Sequence, residues 1–213
     1  MILALETSTR AFSVALFHDR VIAVVEHVHE IARSQGIVGA VARMLSDLGL
    51  TANDLKAVYA GLGPGSFTGI RVGLTFANTL LQTKGIPLLG VPTLDLLAFE
   101  SGGWYNSAVS LLRSRKNEVY AALYRGGNRV GDYLVLEKGE LSRFLHETHP
   151  ERIVCSEDEY GELGLDADVK AVFAYPMAAS VFSFVEKSRL NPRHEYLKPL
   201  YVRGSHAIPH LYG

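Results

Sequence analysis

The chain is organised around one stretch, Val58-Tyr59-Ala60-Gly61-Leu62-Gly63-Pro64-Gly65-Ser66-Phe67-Thr68-Gly69-Ile70-Arg71-Val72-Gly73. It passes from an apolar strand through a glycine-dense turn into the start of a helix. The glycines remove the side-chain clash that forbids positive φ, and the proline restricts φ between two of them. The stretch therefore predicts a tight structural turn formed by Gly61, Gly63, Pro64, Gly65 and Ser66.

The helix predicted after this turn runs from Phe67 to Lys84, with Ser66 as its N-cap and Gly85 as its stop. On a helical wheel with about 100° of rotation per residue, a large apolar face lies beside a row of small residues. The apolar arc is about 220° wide, against the ~100° of an ordinary surface helix, so the helix needs two packing partners. We expect the large face to cover the sheet of its own lobe and the small row to face outward. The large face comprises Phe67, Ile70, Leu74 and Leu81; the small row comprises Gly65, Gly69, Gly73 and Ala77, flanked by Val72, Phe76 and Leu80.

The glycine turn has two interpretations, a phosphate cradle at a helix N-terminus or a closely packed structural turn. A P-loop ends in Gly-Lys-Ser/Thr, but no lysine occurs between Lys56 and Lys84. A dinucleotide fold has an acidic residue after the next strand, but here the predicted strand 88–91 is followed by Pro92. The structural interpretation is favoured.

Composition limits the classes of protein that the chain can represent. Its 213 residues are 48% hydrophobic and 20% charged, which predicts one large globular domain or two small ones. The net charge of −1 and the pI near 6.7 argue against an autonomous nucleic-acid-binding protein. Because no apolar run reaches the ~18 residues of a membrane span and no basic leader precedes the first strand, we expect a cytoplasmic protein without a membrane partner. Cys155 is the single cysteine, which excludes an internal disulfide.

The order of predicted elements indicates an α/β fold in two parts. The first hundred residues are predicted as βββαβαβα, with an antiparallel meander followed by strands that lie parallel to their neighbours. We expect a first lobe over 1–101, a smaller second lobe over 102–192, and a tail over 193–213 that returns to the first lobe. Predicted strands are 2–5, 13–17, 21–25, 57–60, 88–91, 108–112, 118–124, 133–136 and 153–155; predicted helices are 32–48, 67–84, 93–99 (capped by Thr93), 140–147 and 177–187.

Three polar segments are candidates for chemistry, and each also has an ordinary structural interpretation. Glu6-Thr7-Ser8-Thr9 follows the first strand, where actin-like and sugar-kinase-like folds hold phosphates and a metal; a polar hairpin turn is the alternative. His27 and His29 share one side of an extended segment, but no third ligand stands at a recognisable spacing. The basic turn Arg113-Ser114-Arg115-Lys116-Asn117 can contact phosphates or form a solvated hairpin tip.

Gly63-Pro64-Gly65-Ser66-Phe67-Thr68-Gly69-Ile70-Arg71-Val72-Gly73 resembles the signature of the TsaB (YeaZ) family. Further similarity is found at both ends of the chain and between them, but little of 126–193 can be aligned. The supporting segments are Leu3-Ala4-Leu5-Glu6-Thr7-Ser8, Ser13-Val14-Ala15-Leu16, Arg33-Ser34-Gln35, Gly90-Val91-Pro92-Thr93-Leu94, Glu118-Val119-Tyr120 and Pro199-Leu200-Tyr201-Val202-Arg203.

The resemblance implies an actin-like ATPase (ribonuclease H-like) fold with two related lobes, the second reduced. It implies a non-catalytic partner of the paralogue TsaD and the ATPase TsaE in threonylcarbamoyladenosine modification of adenosine 37 in tRNA. The chain alone would form a homodimer, bind no cofactor or metal, and meet tRNA only through the complex, which uses the ATP. Two departures from the family pattern, Glu6 in place of aspartate and Arg113 at the start of Asp-Ala-Arg, each remove a short carboxylate from the cleft.

Two hypotheses of function follow, a scaffold subunit and a nucleotide-dependent enzyme or glycoprotease-like metallopeptidase. The wide apolar arc and the incomplete catalytic sets favour the scaffold, which has no catalytic residues of its own. A fold alone does not carry an activity. The predicted partner interface comprises Val38, Val41, Leu45, Gly69, Val72, Gly73, Phe76 and Leu80.

Overall fold

The computed structural model describes residues 1–28, 33–101, 106–165 and 169–202. Two five-stranded mixed sheets, each with helices on both faces, form two lobes with related topology. The first sheet has the order β3-β2-β1-β4-β5 and the second the order β10-β9-β6-β7-β8. The predicted α/β class and actin-like fold are confirmed.

The first lobe begins with the predicted meander. Strands β1 to β3 pair antiparallel, and β4 and β5 extend the sheet in parallel from β1. Helices α1 and α2 cover one face of this sheet. The elements are β1 Ile2–Glu6, β2 Ala11–His18, β3 Arg20–Val28, α1 Arg33–Asp47, β4 Ala57–Gly61, α2 Phe67–Lys84 and β5 Leu88–Val91.

The second lobe repeats this order with shorter helices, of 11 and 7 residues where the first lobe has 15 and 18. Sequence analysis missed α5 and β10, because both are short and α5 opens with three consecutive acidic residues instead of an apolar repeat. The elements are β6 Ser107–Arg113, β7 Glu118–Arg125, β8 Asn128–Glu137, α4 Lys138–Thr148, β9 Arg152–Cys155, α5 Glu157–Leu163 and β10 Lys170–Phe173.

Helices α3 (Thr93–Glu100) and α6 (Ala178–Ser188) form the layer between the two sheets. Apolar side chains of α6 pack on Ala4 of β1 and on Ala15 and Phe17 of β2, on the face of the first sheet that is opposite α1 and α2. Leu96 of α3 contacts that same core, whereas Leu94 and Leu97 pack against the second sheet. The structure therefore differs from the predicted division at residue 192, since α6 completes the core of the first lobe.

The ends of α2 agree with the sequence prediction. The Ser66 hydroxyl accepts a hydrogen bond from the Gly69 amide at 3.2 Å, and Gly85 ends the helix with a φ of 66°. The predicted cap of α3 is wrong: Pro92 is its N-cap, and Thr93 is its first helical residue. The Thr93 side chain is instead hydrogen-bonded across the molecule to Gly63 and Ser8.

The orientation predicted for α2 is also wrong. Gly69, Gly73 and Ala77 are buried, whereas Phe67, assigned to the inner face, is 56% exposed. A Cβ at Gly69 would overlap the carbonyl oxygen of Thr7, and one at Gly73 would overlap the Thr7 hydroxyl. The small row therefore lets the loop after β1 approach the backbone of α2 closely, and this contact lies inside the subunit.

Residues 193–200 lie against the first lobe. Arg193 and Leu88 exchange backbone hydrogen bonds of 2.7 and 2.8 Å, and the Leu200 amide donates to the Leu62 carbonyl at 2.9 Å. The Asn78 side chain on α2 bonds both the amide and the carbonyl of Leu197. Among the described helices, none combines the length and apolar character that crossing a membrane requires.

Candidate functional site

A cleft of about 770 Å³ opens between the two lobes. Its first-lobe wall is formed by the loop after β1 and the start of α2, and its second-lobe wall by the β6–β7 turn and α5. Residues 200–202 of the tail lie at its rim. The polar segment 6–9 and the basic turn 113–117, which are about a hundred residues apart in sequence, both reach this cleft.

Glu6 lies beneath the cleft floor and does not project into it. Its side chain is fully buried, and Oε1 accepts hydrogen bonds from the Ser8 amide at 2.7 Å and from the Ser8 hydroxyl. The Thr93 hydroxyl lies 3.3 Å from Oε2 and 2.7 Å from the Ser8 hydroxyl. A Cβ at Gly61 would overlap this carboxylate, so the glycine makes room for it.

Burial raises the pKa of Glu6 above its ordinary value, although the hydrogen bonds from Ser8 and Thr93 lower it in part. Desolvation outweighs the hydrogen bonds from Ser8, Thr93 and the Thr7 backbone. A carboxyl group in these surroundings holds the loop after β1 against α3, and it is not presented to a substrate, phosphate or metal ion in the cleft.

The glycine turn joins the same network. The Ser66 amide donates to the Ser8 carbonyl at 2.6 Å, and the Gly63 amide donates to the Thr93 hydroxyl at 3.1 Å. Gly63 has a φ of 90°, a conformation that residues with a side chain rarely adopt. The interpretation as a structural turn therefore agrees with its geometry. Sequence analysis missed Thr93 because its partners Ser8 and Glu6 precede it by 85 and 87 positions.

The second-lobe wall is an ion-paired surface. The Arg113 guanidinium lies 2.7 Å from the Glu162 carboxylate, and the Arg113 amide donates to Glu159 at 2.9 Å. Glu159 also accepts from the amide and hydroxyl of Ser156 at the start of α5. Arg113 is thus held by α5, an element that sequence analysis did not predict.

The predicted interface residues divide into two groups. Val41, Leu45, Gly69 and Gly73 are buried within the first lobe. Val38 on α1 is 57% exposed, and three half-buried side chains of α2 lie at the surface of the same core. We call the second group the α1/α2 ridge; it comprises Val38, Val72, Phe76 and Leu80.

The histidine pair is only partly covered by the structure. His29 lies outside the described residues, and for His27 only the backbone, in β3, is described. Over 1–28, 33–101, 106–165 and 169–202, no three His, Cys, Asp or Glu side chains are grouped as a metal site requires.

Comparison with known proteins identifies the family. The model of the TsaD family, described as tRNA N6-adenosine threonylcarbamoyltransferase, matches residues 16–187. The tRNA threonylcarbamoyladenosine biosynthesis protein TsaB of Escherichia coli is 37% identical over 128 residues, which are 58% of this chain and 54% of that protein. TsaB of Bacillus subtilis is 30% identical over 137 residues, 63% of this chain and 59% of that protein. The matched regions thus span somewhat more than half the length of these curated relatives.

Solved structures agree over nearly the whole chain. A Pseudomonas aeruginosa protein described as similar to peptidase YEAZ superposes with a TM-score of 0.78 at 25% identity, covering 95% of this chain and 99% of that one. YeaZ from Pseudomonas aeruginosa superposes with a TM-score of 0.73 at 25% identity, covering 94% and 99%. The chain therefore belongs to the TsaD family and, within it, to the TsaB (YeaZ) proteins.

Proposed function

We propose that this chain is a non-catalytic partner subunit in the threonylcarbamoyladenosine modification of adenosine 37 in tRNA. It acts in complex with its paralogue TsaD and the ATPase TsaE, and it meets tRNA within that complex. The burial of Glu6 carries the proposal. This acid ends the first strand, where an actin-like fold would need a carboxylate for phosphate or metal chemistry, and it is enclosed and hydrogen-bonded within the lobe.

The second-lobe wall of the cleft supports the same proposal. Arg113 stands where the family pattern has a carboxylate, and it is paired with Glu162. An arginine held in this way neutralises the neighbouring acid and supplies no general base. We therefore expect the isolated chain to bind no cofactor and to show no ATP turnover.

The α1/α2 ridge is the surface that we propose for the partner. Helices α1 and α2 pack against each other, and an exposed valine on α1 with half-buried apolar side chains on α2 suits burial against the equivalent helices of TsaD, or of a second copy when TsaD is absent. The polar face of α2, with Thr68, Thr75 and Thr79 exposed, would lie at its rim.

Co-purification of the chain with TsaD of the same genome tests this proposal. Val38→Asp places a charge in the ridge, and we expect it to weaken association at least tenfold, about 1.4 kcal/mol, without changing the melting temperature. Leu190→Asp is the matched control, because Leu190 is 42% exposed just beyond α6, on the opposite face of the first sheet. Association that survives Val38→Asp would rule out the ridge, and ATP hydrolysis abolished by Glu6→Gln would instead favour the nucleotide-dependent enzyme.

A further inference from the structure

Two exposed aromatic rings at the rim of the interlobe cleft have no part in the functions assigned above. Phe67 at the start of α2 is 56% exposed, and Tyr201 in the tail is 55% exposed. Their ring centroids are 6.3 Å apart, with planes inclined by 32°. The Arg71 guanidinium lies 3.6 Å from the centroid of the Phe67 ring. Exposed rings beside an arginine are the surface on which proteins stack unpaired bases.

The charges around these rings favour an anion. Arg10 and Arg115 are exposed and line the cleft, and in the part of the chain that the structure describes neither lies within ion-pair distance of a carboxylate. Of the acidic residues on the opposite wall, Glu162 is neutralised by Arg113. Glu159 is occupied by hydrogen bonds from Ser156 and from the Arg113 amide. Asp158 is the third acid on that wall, so the second-lobe wall carries no excess of positive charge. The positive side of the rim is the first-lobe side, where Arg10 lines the cleft, Arg71 lies over the Phe67 ring and none of the described lining residues is acidic.

We propose that this rim binds a single-stranded segment of the RNA substrate, with bases stacked on Phe67 and Tyr201 and phosphates held by Arg10, Arg71 and Arg115. The inference rests on the proposed function, which supplies the RNA. The rings are more than half exposed at an open cleft, so they suit bases presented by a strand that passes across the rim, and they do not enclose a free mononucleotide. The near-neutral net charge makes this contact weak for the chain alone and effective when a partner holds the RNA.

The test measures the affinity of the complex of this chain with TsaD for an unmodified transcript of a tRNA that carries adenosine 37. We expect Phe67→Ala and Tyr201→Ala each to lower the affinity about tenfold, the effect of losing one stacked base. Arg115→Ala should weaken binding and reduce the slope of log affinity against log salt concentration by about one, because one phosphate contact is lost. Melting curves of the three variants check that each remains folded.

Matched controls come from the same chain. Tyr196→Ala removes a tail tyrosine that is 58% exposed away from the cleft, and Phe173→Ala removes a phenylalanine that is 52% exposed on β10. Arg143→Ala removes an exposed arginine on α4. All three variants should bind the transcript like the unsubstituted chain. Excess AMP is added as a competitor and should leave transcript binding unchanged.

The outcomes separate this inference from the proposed function. Unchanged affinity in Phe67→Ala, Tyr201→Ala and Arg115→Ala, or equal losses in the matched controls, would overturn the RNA site while the complex stands. Competition by AMP would assign the rim to a free nucleotide and also overturn it. If the chain fails to bind TsaD, the proposed function fails. The affinity of each isolated variant for the transcript, measured at low salt and compared with that of the isolated unsubstituted chain, then tests the RNA site independently.

Discussion

At the scale of single residues, Glu6 lies where an actin-like fold would have a functional acid, but its role is structural. The family resemblance directs attention to this acid because it lies at the end of the first strand. Its surroundings make it a structural group, since the carboxyl is fully buried and accepts hydrogen bonds from Ser8 and Thr93. Burial favours the neutral form of a carboxyl group.

Glu6 should make stability depend on pH in a defined direction. Its folded-state pKa is raised, so its contribution is fully present below the ordinary carboxyl pKa and is lost as pH rises through the raised value. Glu6→Gln keeps an uncharged group of similar shape and should remove this loss. We expect the melting temperature of the unsubstituted chain to fall relative to Glu6→Gln between mildly acidic and alkaline pH. If the melting temperatures of the two proteins change with pH in parallel, ionisation of Glu6 does not destabilise the folded chain, and the prediction is wrong.

At the scale of elements, α2 shows what a sequence pattern can predict and what it leaves open. The bounds 67–84, the Ser66 cap and the Gly85 stop were all predicted correctly, because capping and helix termination depend on local chemistry. The direction of the small row was predicted wrongly. An apolar arc that surrounds more than half of a helix does not indicate which side meets the sheet, and the contact with Thr7 joins residues 62 positions apart.

The same limit applies to the candidate site. Sequence analysis identified Glu6-Thr7-Ser8-Thr9 and the basic turn, and the structure brings both to one cleft. It could not identify Thr93 as a partner of Glu6, nor Glu162 as the partner of Arg113, because each pairing depends on the packing of distant elements. The division of the chain at residue 192 fails for a similar reason, since the apolar face of α6 fits either sheet by pattern alone.

Substitution of the small row should now destabilise the monomer. In Gly69→Ala the new Cβ meets the Thr7 backbone, so we expect a loss of about 1–3 kcal/mol in the free energy of unfolding, despite the helix-propensity gain of about 1 kcal/mol. Gly73→Ala should cost less, because its Cβ meets the Thr7 side chain and not backbone, and this side chain can move if it gives up its hydrogen bond to the Gly69 carbonyl. Denaturant unfolding of both variants measures the difference.

Gly39→Ala is the control for this series. Gly39 is an exposed position in α1 with nothing within 4 Å of an added Cβ, so only the gain in helix propensity remains. It should raise stability by up to about 1 kcal/mol. Equal effects at Gly39 and Gly69 would mean that the small row is not packed against the loop after β1.

At the scale of the whole molecule, α3 connects the lobes through Asp95. Its carboxylate accepts hydrogen bonds from the hydroxyls of Tyr124 at 2.7 Å and Tyr133 at 2.9 Å, on β7 and β8 of the second sheet. Burial raises the pKa of Asp95, and burial together with this carboxylate raises that of Tyr133. The neighbouring apolar residues of α3 pack on both sheets. The relative position of the two cleft walls thus depends on this helix.

Asp95→Ala should lower the free energy of unfolding by about 1–3 kcal/mol, because two hydroxyls lose their shared acceptor. Asp132→Ala, at an exposed position of β8, should change it by less than about 0.5 kcal/mol. Chemical denaturation of both variants provides the comparison. A loss at Asp132 as large as that at Asp95 would indicate a general effect of charge on the second lobe.

The central claim is that the chain supports a modification that another subunit catalyses, and reconstitution tests it most directly. Threonylcarbamoyladenosine formation on a tRNA transcript is measured with TsaD and TsaE of the same genome, first without this chain, then with it, and then with its Glu6→Gln variant. We predict that modification requires the chain and that Glu6→Gln supports it as well as the unsubstituted protein does. Full modification without the chain, or a complex that assembles with Glu6→Gln but does not modify tRNA, would contradict the account.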